Sequence, residues 1–136
     1  MNRRIILKRF ALRVLLVGIL GSSFFSHAQE MIGRWTAAEV ASLPQYCSDR
    51  LNKNRNRERW RREFGPEIHN HLHHFCYGLI QFSRASTEFD AGERRYAAKQ
   101  GIGEFNYVLK RWPPTFPLYQ QAQMYQEQLQ FILKLR

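Results

Sequence analysis

From Pro66 onward, apolar residues recur at helical intervals. Ile68, Leu72, Phe75, Leu79 and Phe82 are separated alternately by four and three residues, so an α-helix opening at Pro66 would gather them into one stripe. The polar stretch SRASTEFDAG interrupts the pattern. A second stripe follows in Ala98, Gly101 or Ile102, Phe105, Val108 or Leu109, and Trp112, ended by Pro113-Pro114. A third contains Leu118, Ala122, Tyr125, Leu129 and Ile132, on a helix predicted from about Pro117 almost to the last residue. Six glutamines between Gln120 and Gln130 give that helix a solvated outer face. Gly101 and Gly103 each cost roughly 1 kcal/mol relative to alanine inside a helix, so close approach of a neighbouring helix is expected to compensate at one or both.

Upstream the pattern is weaker. Thr36-Ala37-Ala38-Glu39 has the reciprocal hydroxyl and carboxylate spacing that opens a helix, predicted to run to Leu43 and stop at Pro44. The stretch SDRLNKNRNRERWRREFG then carries seven basic residues between Arg50 and Arg62, and its asparagine-rich first half reads as a loop. No segment alternates with the period of a strand. The expected class is all-α: a short lead-in helix and basic loop over residues 29–65, then three longer antiparallel helices over 66–136.

The first thirty residues change the picture of charge and compartment. Arg3, Arg4, Lys8, Arg9 and Arg13 precede an almost wholly apolar run, and Ser26-His27-Ala28 supplies small residues before a cut. Residues 1–28 are therefore expected to be a cleaved export signal. A retained membrane anchor is the alternative, disfavoured because Gly21-Ser22-Ser23 interrupts a run already shorter than the roughly 20 residues a bilayer requires. The segment NRRIILK resembles a twin-arginine export signal. Cleavage lowers the net charge from +10 to +5, because five of the 21 basic residues leave while all 11 acids stay. A periplasmic or secreted protein does not ordinarily meet nucleic acid. Its positive charge points instead to an acidic protein surface, anionic lipid heads or acidic glycans.

Both cysteines, Cys47 and Cys76, remain after cleavage, and an oxidising compartment favours joining them. The competing reading is a free Cys76 thiolate beside the histidines of HNHLHHFCYGL. His69, His73 and Cys76 follow at steps of four and three, a spacing that lets all three reach one zinc or copper ion, while His71 and His74 form a second pair. The other reading of these histidines is that they pack beside the apolar stripe and hydrogen-bond. No haem-attachment sequence of the C-x-x-C-H type occurs. A Cys76–His73 nucleophile pair is nominally present, but the two are neighbours on one regular helix with no evident oxyanion donors, so no catalytic residue and no cofactor is expected.

The basic run also has two readings. Arg57, Arg59, Arg61 and Arg62 around Trp60 could pair with phosphate or carboxylate while the indole anchors a partner, or the run is simply a solvated loop. Tyr96 and Tyr107 are candidate aromatic contacts on the face between the two hairpin helices. Phe131 and Leu135 lie off the third stripe and leave an apolar edge that a partner or a second copy could cover.

Gly101, Phe105, Val108 and Pro113, followed by Tyr119 and Ala122, resemble the small, aromatic, apolar and terminal-proline positions of the tetratricopeptide-repeat family, whose unit is a helical hairpin. With LPQYC and HHFCYGL, the chain resembles exported bacterial proteins of that type carrying LPxYC and HHxCxGL signatures. The resemblance implies a non-enzymatic protein-binding or assembly scaffold. Stacked repeats need several units for stability, so the disulfide and lead-in helix are expected to substitute for missing ones.

Overall fold

The computed structural model describes residues 35–135, and the expected export signal at 1–28 lies outside them. Among the described residues the secondary structure is entirely helical: α1 (Ala37–Ala41), α2 (Gln45–Leu51), α3 (Arg57–Phe64), α4 (Pro66–Thr87), α5 (Ala91–Leu109) and α6 (Pro117–Lys134). None of these helices is long and apolar enough to cross a membrane.

The three long helices form antiparallel neighbours in chain order. Gly78 of α4 meets the Phe105 ring of α5, and Gly101 of α5 meets Leu129 of α6. A β-carbon at Gly78 would lie 2.7 Å from the Phe105 ring, and one at Gly101 would lie 2.5 Å from Leu129 Cδ1. Both helix pairs therefore approach more closely than any larger residue permits. Gly103 has open space around it, so compensation for a helical glycine is present at Gly101 and not at Gly103. The core is built from the predicted stripes: Leu72, Phe75, Ala98, Phe105, Val108, Trp112, Leu118, Ala122 and Leu129 are all buried. Where the sequence left a choice, Gly101 and Val108 face inward and Ile102 and Leu109 are half-buried.

Helix boundaries differ from the expectation in three places. Ser83–Thr87 continue α4, because the Ser86 and Thr87 hydroxyls donate back to the Phe82 and Ser83 carbonyls and Ala85 is buried on the core side. The second long helix ends at Leu109, three residues before Trp112, which nevertheless stays in the core. Finally, α1 ends at Ala41, and Pro44 opens α2 as well as following α1. Residues 45–51 and 57–64, expected as part of a lead-in and loop, are two further short helices. Lys53, in the left-handed conformation at φ 52°, helps to turn the chain between them.

The lead-in segment is tied to the long helices covalently and by charge. Cys47 and Cys76 form a disulfide with 5.4 Å between their α-carbons, fixing α2 against α4. The predicted capping box is present: Glu39 N–H donates to Thr36 Oγ1, and Thr36 N–H donates to Glu39 Oε2. The same Glu39 carboxylate accepts from Arg84 Nε at 2.5 Å and Nη2 at 3.0 Å, joining the start of α1 to the end of α4.

Candidate functional site

Because α4 is packed on both sides, its histidines divide into two flanks with different surroundings. His71 and His74 face α5. Nδ1 of His74 lies 2.6 Å from Glu104 Oε2, and its ring stacks on Tyr107 at 3.6 Å between centroids. The Arg111 guanidinium lies 3.5 Å from the centroid of that same tyrosine, and the Tyr107 hydroxyl is 3.3 Å from His71 Nδ1. Tyr107 is thus held among three side chains and is not a free aromatic contact.

On the other flank His69 is 4 % exposed, and burial holds its imidazole below the ordinary range, with the Arg50 charge adding to the effect. His73 is pushed down to about 4, first by burial and then by the neighbouring His74 and Arg50. The disulfide removes Cys76 both as a thiolate ligand for His69 and His73 and as a nucleophile. Among the described residues no three His, Cys, Asp or Glu side chains converge as a metal-holding group.

The second half of the basic run, Arg57 to Arg62, lies on α3 and has internal partners. The Trp60 indole N–H donates to Asp49 Oδ2 at 2.8 Å, and its ring packs against Tyr46 and Phe64. Trp60, half-buried, thus has partners within the fold. Arg57 and Arg61 lie 3.4 and 3.8 Å from Glu58, Arg59 lies 3.8 Å from Glu63 and over the Trp60 ring, and Arg62 is exposed.

Sequence reasoning missed Asp49. It is buried on α2 and accepts from Gln45 Nε2 and Asn54 Nδ2 on one oxygen and from Trp60 on the other. Burial alone would raise its pKa, but the hydrogen bonds from Asn54, Trp60 and Gln45 outweigh it and hold the carboxyl below its usual range. An acid at the edge of a basic run reads as a solvated charge. The usable signal was the amides and indole at positions 45, 54 and 60, which can all donate to it.

An exposed apolar groove lies between α4 and α6. Phe82 and Ser86 of α4 and Met124, Glu127, Gln128, Phe131 and Ile132 of α6 line a groove of about 510 Å³. Phe131 is 62 % exposed and Met124 44 % exposed, and Leu135, 52 % exposed, lies just beyond α6. The packing interface between α4 and α5 is close, because Gly78 admits the Phe105 ring. Tyr96 is exposed on α5, and neither it nor Tyr107 lines the groove. Comparisons of the chain with family profiles, curated proteins and solved structures return no match.

Proposed function

We propose that the protein is an exported, non-enzymatic binding or assembly module of tetratricopeptide-like helical type, and that the α4–α6 groove receives an amphipathic helix of an envelope protein. The observation carrying this reading is the groove itself: a mainly apolar trough between two helices, with one carboxylate, Glu127, among its walls. A helix laid in such a trough buries apolar side chains at one-turn intervals, and a cation on it would answer Glu127. The disulfide fits an oxidising compartment, which supports export. The resemblance drawn from LPQYC and HHFCYGL supports the scaffold class.

The test is a photo-crosslinking residue in place of Phe131, expressed in the native envelope. A discrete adduct is expected that Ile132→Arg abolishes and Glu127→Arg weakens severalfold, with the crosslinked peptide carrying a basic residue. An adduct at twice the chain mass would identify the occupant as a second copy, and the heterologous reading would fall. Adducts unaffected by Ile132→Arg, or none, would remove the groove as the docking surface.

A further inference from the structure

The positive charge of the folded chain is concentrated in one short stretch. Residues 50–65 carry seven arginines and lysines against two acids, Glu58 and Glu63. The other residues between 35 and 135 carry seven basic side chains and eight acids, so they are close to neutral. Asp49, just before the stretch, pairs with none of its cations: the carboxylate is 1 % exposed and accepts from the amides of Gln45 and Asn54 and from the Trp60 indole. Those bonds order the stretch, tying the turn at Asn54 and helix α3 at Trp60 to α2, which the disulfide holds against α4. Lys53, Arg55, Arg59, Arg61 and Arg62 are all exposed. Arg59 and Arg62, three apart on α3, are neighbours on its exposed side. The ion pairs of Arg57, Arg59 and Arg61 are loose, at 3.4 to 3.8 Å between well-exposed side chains. Among the described residues Lys53, Arg55 and Arg62 have no acid within ion-pair distance.

The chemistry of this surface discriminates between partners. The centre of a protein interface is depleted of charge and is anchored by apolar or aromatic side chains. Here the large exposed hydrophobic side chains, Phe89, Tyr96, Met124, Phe131 and Leu135, all lie elsewhere, while Trp60 and Phe64 of α3 are half-buried against Tyr46 and each other. Cations spread over a turn and one helix fit instead a surface whose negative charge is itself spread, because each cation near an anionic leaflet contributes on its own. We propose that Lys53, Arg55, Arg59 and Arg62 form a docking surface for a bilayer, meeting the phosphate groups of anionic lipid heads. Each guanidinium presents a fork of N–H donors to phosphate oxygens. The expected export brings the surface to such a leaflet and away from nucleic acid. This surface is separate from the α4–α6 groove, and neither proposal needs the other.

Cosedimentation of the exported, oxidised protein with phosphatidylglycerol-containing vesicles, and with vesicles of phosphatidylcholine alone, tests the proposal. Binding is expected to the anionic vesicles only, and it should weaken as salt is raised, because exposed charges are screened. Each cation near the leaflet changes affinity about fivefold, so Arg59→Gln with Arg62→Gln should weaken binding roughly 25-fold. Lys99→Gln with Lys134→Gln removes the same charge from exposed positions on α5 and α6 and should change binding less than about twofold. All four side chains are exposed, so both variants should keep the helical spectrum and the thermal midpoint. Equal losses in the two variants would show that net charge alone governs binding and would overturn the surface. Binding of the same strength to neutral vesicles would do so too. Absence of binding to the anionic vesicles would also overturn it, and salt-sensitive binding to heparin in that case would assign the arginines to an acidic glycan.

Discussion

Residues 35–65 and 66–134 are both helical, yet different forces hold them. Helices α4, α5 and α6 each present an apolar stripe long enough to bury whole rings and branched chains, among them Phe75, Phe105, Leu72, Leu129 and Val108. Helices α1, α2 and α3 have five, seven and eight residues. Helices that short are not stable alone, and their buried side chains are few: Val40, Cys47 and the carboxylate of Asp49. One region is specified by burial, the other chiefly by three discrete ties, a disulfide, a buried carboxylate and an ion pair, with half-buried Leu43, Tyr46, Leu51 and Phe64 packed against the core.

The largest effect expected from this contrast follows from cutting the covalent tie. The bond closes a loop of about 30 residues, for which chain entropy gives roughly 3.6 kcal/mol, so Cys47→Ser with Cys76→Ser should lower unfolding stability by about that much. Hydrogen exchange should show protection lost first in α1 to α3 while α4 to α6 keep theirs. Equal loss in both regions would show that one cooperative core spans them and that the ties are incidental.

Asp49 should come next. Replacing it with alanine leaves the Gln45, Asn54 and Trp60 donors without their acceptor, at a cost of about 2–3 kcal/mol measured by denaturant unfolding. Asp49→Asn keeps an acceptor oxygen and should cost less. The apolar region makes the matching prediction through its glycines. Gly78→Ala forces a methyl against the buried Phe105 ring and should destabilise by about 1–3 kcal/mol, whereas Gly103→Ala, in open space, should stabilise by about 0.5–1 kcal/mol. If both substitutions move stability in one direction, helix propensity rather than close approach governs these positions.

The same contrast explains what was legible in the sequence. Periodicity located the long helices and nearly all of their buried faces, because a residue such as Phe75 or Leu129 reports its own burial by type and spacing. It could not choose between Gly101 and Ile102, since the better hydrophobe stays half-buried where the helices must touch. The disulfide was readable from an even cysteine count beside an expected export signal. Helices α2 and α3 were not, because charge and asparagine dominate their local pattern, while the tie that orders them joins Asp49 to Asn54 and Trp60 across a turn. The α4–α6 groove was half visible: Phe131 and Leu135 stood off the stripe, but its far wall, Phe82 and Ser86, depends on how α6 lies beside α4. The histidine cluster divided as its spacing implied, with partners supplied by elements the spacing does not name.

The smallest effect concerns the seam where the two regions meet, and it is read through pH. Hydrogen bonding from Arg84 lowers Glu39 to about 2 against the opposing effect of burial, so this pair contributes stability that is complete above the ordinary carboxylate value of 4.5 and is lost as pH falls towards 2. His73 behaves differently, because the folded protein holds it neutral while the unfolded chain takes up a proton below 6.5. Its contribution is present above that pH and declines as pH falls to about 4. Stability against pH should therefore descend in two limbs, a histidine limb from about 6.5 to 4 and a carboxylate limb from about 4.5 to 2, the latter shared with Asp49. Since Glu39 and Arg84 are both partly exposed, Arg84→Gln should cost no more than about 1 kcal/mol at neutral pH, shrink the lower limb and leave the upper one unchanged. Thermal midpoints measured from pH 7 to 2.5 on both proteins provide the comparison. Loss of the upper limb in Arg84→Gln would mean that α1 and the His73 face of α4 unfold as one unit, and the two regions would then differ in composition but not in cooperativity.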